Sequence, residues 1–188
     1  MSRRVIACRA WPRHHADVNI DIVRHAAANR AWWQVLLAGA IATASMDVLG
    51  MIAIRLRLIA PLSPNLIGRW FASVARAHPL HEDIARAAPI SHELAIAVPG
   101  HYAIGVFLTA LFVVMANRVG WPARSLPPAL AFGVCTNVFP WLLMFPAMGY
   151  GLFGAHGPEG TRLFVSSLAS HAFFGLGIWI ALRVMSLT

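Results

Sequence analysis

The sequence predicts an all-α membrane protein with four transmembrane helices, and two observations carry that reading. Apolar residues make up 59% of the 188 positions and charged residues only 12%, roughly half the charged share of an ordinary soluble domain. A soluble fold of this size needs polar groups over its surface; here they are too few, so the apolar surface has to face lipid. The second observation is the pattern: four long apolar runs are separated by stretches that hold almost all the arginines. About 20 residues of helix, at 1.5 Å each, cross a hydrocarbon core roughly 30 Å thick.

The first span is predicted over residues 33–54, with Trp32 and Trp33 at one interface and Arg55 and Arg57 at the other. A mixed stretch follows. Within it residues 65–77 have the spacing of an amphipathic interfacial helix, with Leu66, Trp70, Phe71 and Val74 toward the membrane and Arg69 and Arg76 toward water. The second span covers 94–117 and is interrupted by Pro99-Gly100; the third covers 129–149 and carries Pro140 and Pro146. Each proline removes a helical hydrogen bond, so kinks are expected there. The glycine-rich stretch 149–160 reads as an extramembrane loop, and 163–182 as the fourth span.

Residues 1–31 form a basic N-terminal arm with six arginines, three histidines and no apolar run of signal-peptide type. Its end, 17–33, reads either as an interfacial helix capped by Asp17, with Val18, Ile22 and Ala26 on one face, or as a flexible tail. Residues 32–188 form one four-helix transmembrane domain. The net charge of +8 is due to arginine, since the chain has no lysine. These arginines flank apolar runs, where they anchor to anionic headgroups; the expected partner is the lipid bilayer and not nucleic acid. The N-terminus, the 118–128 loop and the C-terminus together hold nine arginines against six on the other side, which favours a cytoplasmic N-terminus. Cys8 and Cys135 make no C-x-x-C pair, and Cys135 reads as a small packing residue.

The two halves resemble each other. GAIAT at 39–43 parallels FGVCT at 132–136, and His101 with Gly105 parallels His171 with Gly175. Either a two-helix unit is used twice, giving parallel repeats, or the matches are chance. Each span also carries one polar residue near its middle: Asp47, His101, Asn137 and His171. By helical rise all four fall within about 7 Å of the midplane, forming one polar layer. An aspartate there costs on the order of 2.5–3.5 kcal/mol on insertion scales, so Asp47 is expected to face the bundle and take His101 or His171 as partner. Gly39, Ala42, Thr43, Gly105, Ser167, Ser170 and Gly175 let the helices approach around it.

Four readings fit such a layer. It is interhelical glue; or a station for protons or a small solute, in which four helices would call for a homo-oligomer; or the packing surface of an accessory subunit in a larger membrane complex. In the fourth, His101 and His171 ligate a haem or metal ion, with Met46, Met144, Met148 and Cys135 suiting a softer metal. The sequence requires no cofactor. The extramembrane group His78, His81, Glu82, Asp83, His92 and Glu93 matches no zinc spacing and reads as solvated loop, with Glu93 at the start of the second span. Ser45, Ser166, Ser167 and Ser170 lie in apolar helices without a nucleophile elbow, so an enzymatic function is not expected.

From Gly39 to Leu182 the chain resembles a family of bacterial inner-membrane proteins catalogued as domain of unknown function 2938. The resemblance lies in GAIATASMD at 39–47, GRW at 68–70, His81, HELAIAVPGHYAIG at 92–105, PAMGYG at 146–151 and the run 162–177 ending SHAFFGLG. It implies four transmembrane helices and a multi-pass place in the bacterial cytoplasmic membrane, and no established activity. Asp47, Arg69, Glu93, His101 and His171 fall on its motif positions, Arg69 and Glu93 as membrane-interface residues. Relatives often carry glutamine immediately before PAMG, where this chain has Phe145.

Overall fold

A computed structural model describes the backbone of residues 14–185 and the side chains of 32–185. The elements in order are α1 (His14–Arg55), α2 (Pro64–Ala75), α3 (Glu93–Val119), α4 (Leu126–Cys135), a π-helical turn (Pro140–Met144), α5 (Phe145–Ala147), a 3-10 turn (Leu152–Gly154) and α6 (Thr161–Val184). No strand occurs among the described residues. The described residues up to Gln34 form one unit and those from Val35 onward another, and the packing described below belongs to the second. Asp17 lies inside α1 rather than at a helix start.

Four segments are long and apolar enough to cross a membrane: Trp32–Arg55, Glu93–Val119, Leu126–Ala147 and Thr161–Val184. They agree with the predicted spans to within about three residues, because an apolar run ends where the first arginine or turn glycine enters it. Leu36, Leu37, Met51, Ile52, Phe107 and Val114 are exposed on their outer faces, as side chains bathed in lipid would be.

Small residues fix the crossings. A Cβ on Gly39 would lie 2.5 Å from the Val106 Cα, bringing α1 against α3. On Gly177 it would lie 2.7 Å from the Ala42 Cα, bringing α6 against an adjoining face of α1. Gly133 and Gly175 meet backbone to backbone between α4 and α6. Ala42, Phe112, Ala116, Ala129, Phe174 and Ile178 close a core supplied by all four segments, the close approach that membrane helices need where no hydrophobic force draws them together.

The third segment is not one helix. Pro140 has no N–H to offer the Thr136 carbonyl, and the preceding turn tightens: Asn137 N–H donates to Val134 O at 3.1 Å and Thr136 N–H to Gly133 O at 3.2 Å. Beyond it the backbone widens into the π-helical turn, where Phe145 N–H reaches Pro140 O. The expected kink at Pro140 is thus a tight turn followed by a wide one. In α3, by contrast, the helix runs through Pro99, and Gly100 makes room for Phe71 of α2.

A second core stands at the end of the bundle where α1 gives way to α2. Trp70, Ile84, Met144, Phe145, Ala147, Met148, Tyr150 and Leu163 pack together there, and Ala60 N–H donates to Ser166 Oγ at 2.7 Å. This cap corrects the expected orientation of α2. Arg69 does not face water: it is buried, as is Trp70, while Leu66 and Phe71 pack against the cap core. The apolar stripe of α2 turns onto the chain's own loops because residues 79–90 and 145–150 fold over it.

Candidate functional site

Asp47 and His101 meet in the interior of their helices. His101 Nε2–H donates to Asp47 Oδ1 at 3.1 Å, and the Tyr102 side chain interacts with the same carboxylate. One turn back, Gly105 leaves space that a Cβ would contest with Thr43 Oγ1. The Thr43 hydroxyl itself donates to Gly39 O at 2.8 Å. Of the two partners foreseen for Asp47, the geometry selects His101.

The other two residues bond elsewhere, each to its own partner between the third segment and α6. His171 Nδ1 lies 2.7 Å from Thr136 Oγ1. Asn137, fully buried, accepts from Ser167 Oγ at 2.6 Å and donates from Nδ2 to Val134 O at 3.0 Å. Asn137 is therefore satisfied within the α4–α6 pair and does not bond to Asp47 or His101. The four residues are therefore one bonded pair, Asp47 with His101, and two separate contacts, His171 with Thr136 and Asn137 with Ser167, rather than a ring of four.

The Asp47–His101 pair is partly open. The Asp47 and His101 side chains retain 40% and 32% of their accessible surface. Along the same face of α3, Leu94 and Val98 are exposed, and one turn beyond Asp47 so is Met51. An acid–base pair with this much open surface inside apolar helices is not a sealed structural contact.

Arg69 and Glu93 form the other charged centre, in the cap. Arg69 Nε donates to Glu93 Oε1 at 2.7 Å, and its Nη1 donates to Ile84 O at 3.0 Å and Ala87 O at 2.7 Å. Glu93 Oε1 also accepts Ile90 N–H at 3.0 Å. Both side chains are buried, at 9% and 8% exposure. One guanidinium thus holds the 84–93 loop shut, a use for which the forked donor geometry of arginine suits it. Glu93, expected as a solvated residue at the helix start, is buried in this clamp. His81 N–H and Ile84 N–H donate to Ala147 O and Met148 O at 2.8 and 2.9 Å, fastening the loop to the end of the third segment.

His81 Nε2 is buried in this cap without a partner. Burial first, then the neighbouring charges of His78 and Arg69, hold its pKa below the ordinary histidine value. An unfolded chain takes up a proton at His81 near pH 6.5, while the folded imidazole resists it. Stability is therefore present above that pH and falls as acid is added. Unfolding midpoints in detergent between about pH 7 and 5 should drop more for the wild type than for His81→Asn; parallel curves would count against this role.

Among the described residues no three His, Cys, Asp or Glu side chains converge as a metal site requires. Haem ligation through His101 Nε2 would first have to break its bond to Asp47. Cys135, expected as a packing residue, is exposed. Sequence reasoning missed Tyr102 and the bonding roles of Thr136 and Ser167. Thr136 had shown itself as one half of the internal match, and Ser167 as a small residue.

The fold and site define an all-helical protein with four membrane-length helical segments, buried polar contacts between them and a clamped cap at one end. The chain matches, over residues 36–185, the family described as "Protein of unknown function (DUF2938)", and it belongs to that family. No curated protein and no solved structure matches it. The motif residues GRW, His81, HEL and PAMGYG, scattered in sequence, come together in the cap.

Proposed function

We propose that this chain is a multi-pass protein of the bacterial cytoplasmic membrane that moves protons, or a small solute coupled to them, past Asp47, His101 and His171. The observation that carries this reading is the partial exposure of the Asp47–His101 pair within two membrane-length helices. Interhelical hydrogen bonds in membranes contribute only about 0.6 kcal/mol on average. Structural glue would gain little from a carboxylate left open in so costly a place, whereas a transport station has to be reachable. Irregular backbone at membrane depth is tolerated where it is buried in protein or lines a cavity, and the turn at 136–144 supplies it beside His171. Four helices are few to enclose a path, so a second copy would complete it.

Reconstitution in liposomes tests this. With a pH gradient imposed, wild-type protein should carry a flux that Asp47→Asn lowers at least ~10-fold, equivalent to about 1.4 kcal/mol in the rate-limiting barrier, with its unfolding midpoint preserved. Equal flux in wild type, variant and empty vesicles would sink the proposal.

The same open pair supports a second reading, an accessory subunit whose partner helix covers Asp47 and His101. That reading expects co-purification of specific membrane proteins in mild detergent, lost in the Asp47→Asn variant. A clean monomer or homodimer speaks against it.

A further inference from the structure

We propose that Thr136 is a positioning residue that fixes the tautomer of His171, so that His171 gains and loses its proton only through Nε2. Two short contacts at a single hydroxyl lead to this. Thr136 Oγ1 lies 2.5 Å from Gly133 O and 2.7 Å from His171 Nδ1. A hydroxyl has one hydrogen, and a carbonyl oxygen can only accept. Two oxygens at that separation need the hydrogen between them, so the Thr136 proton is committed to Gly133 O. His171 Nδ1 must then be the donor, N–H to Oγ1, and Nε2 is left with the lone pair.

The local backbone leaves this carbonyl room for a second donor. At the end of α4 the turn tightens: Thr136 N–H goes to Gly133 O, and Asn137 N–H goes to Val134 O instead of to Gly133 O. The Thr136 hydroxyl takes the place beside Gly133 O that a continuing helix would have given to Asn137 N–H. Gly133 and Gly175 then let α6 come close enough for His171 to reach Thr136.

The hydrogen bond of His171 runs through Nδ1, which leaves Nε2 as the nitrogen that exchanges the proton. A proton delivered by hydronium bonds to the Nε2 lone pair and gives an imidazolium that keeps its Nδ1–H bond to Thr136. On release the Nε2–H bond breaks and its electron pair returns to Nε2. The Nδ1 proton has nowhere to pass, because the next hydrogen along ends on a backbone carbonyl. His171 is thus a station that fills and empties through one nitrogen, not a link in a wire. This deepens the transport reading of the same layer and rests on that reading for its functional meaning, though not for its chemistry.

Nitrogen-15 NMR of histidine-labelled protein in bicelles tests it, with His171 assigned by its loss in His171→Asn. At neutral pH the wild type should show His171 as the Nδ1–H form, with acid protonating Nε2. Thr136→Ser, which keeps the hydroxyl, should preserve that form, while Thr136→Val should convert it to a mixture or to the Nε2–H form. An Nε2–H form in the wild type, or a Thr136→Val spectrum identical to the wild type, overturns the proposal. If Thr136→Val does not fold, the wild-type and Thr136→Ser spectra decide alone. A failed tautomer test leaves the liposome result standing, and absent flux leaves the tautomer standing, so the two failures are distinct.

Discussion

Replacing Arg69 with alanine is expected to destabilise the protein by about 3–5 kcal/mol, the usual cost of removing one partner of a buried ion pair. The loss is large because three acceptors are abandoned together: the Glu93 carboxylate and the Ile84 and Ala87 carbonyls. The carboxylate is the worst of these, being buried. A double variant, Arg69→Ala with Glu93→Ala, should therefore be less unstable than the sum of the two single changes, with a coupling of roughly 0.5–3 kcal/mol. Arg69→Lys keeps the charge but lacks the fork, and should recover only part of the loss. Unfolding midpoints in detergent and protease cleavage within 77–92 measure both effects. Wild-type stability in Arg69→Ala would show that the clamp holds nothing.

Gly149→Ala is expected to be comparably damaging, for a reason of shape rather than charge. Gly149 has φ of +86°, a region that L side chains rarely adopt. A Cβ there would also sit 2.0 Å from Glu82 O and 2.4 Å from its carbonyl carbon. Those are backbone atoms of the loop whose neighbouring N–H groups, on His81 and Ile84, bond to residues 147 and 148, so they have no rotamer by which to escape. Backbone strain of about 1–3 kcal/mol and overpacking of about the same size should add to roughly 2–6 kcal/mol. Gly50→Ala is the matching control: nothing lies within 4 Å of its added Cβ, and it should change the midpoint little. Equal midpoints for Gly149→Ala and Gly50→Ala would refute the packing argument.

The membrane-length helices were legible because hydropathy and arginine placement are properties of a run of residues, readable without knowing what packs where. The depth of the polar residues was legible for the same reason, since rise per residue is nearly constant. Rotation about each helix was not. Depth allowed Asp47 either histidine, and only the crossing set by Gly39, Thr43 and Gly105 brings it to His101. Asn137 fell at the right level yet turns to Ser167, because the turn before Pro140 swings it toward α6.

Arg69 is the most instructive failure. Helical spacing put it on the polar side of α2, and an arginine on the polar side of a surface helix normally meets water. Nothing local to α2 indicates that residues 84–93 return to cover it. The signal that existed was indirect: GRW and HEL are both motif segments, and an arginine and a glutamate in separate motifs can be each other's reason. Thr136 was hidden differently. Its role depends on which backbone carbonyls the 136–144 turn sets free, and that follows from backbone geometry rather than from residue type.

The cap carries a consequence for how the protein is made. Arg69 finds its three acceptors within residues 84–93, so the clamp can close as soon as α3 begins to emerge from the ribosome. The other half of the cap, Phe145 to Tyr150, follows 57 residues later (150 − 93), or about 3–11 s at 5–20 residues per second. Over that interval Trp70 and Ile84 lack the partners that cover them in the finished cap. Order of synthesis thus puts every partner of the clamp on the chain before Ala147 and Met148, the residues that fasten its loop from the other side.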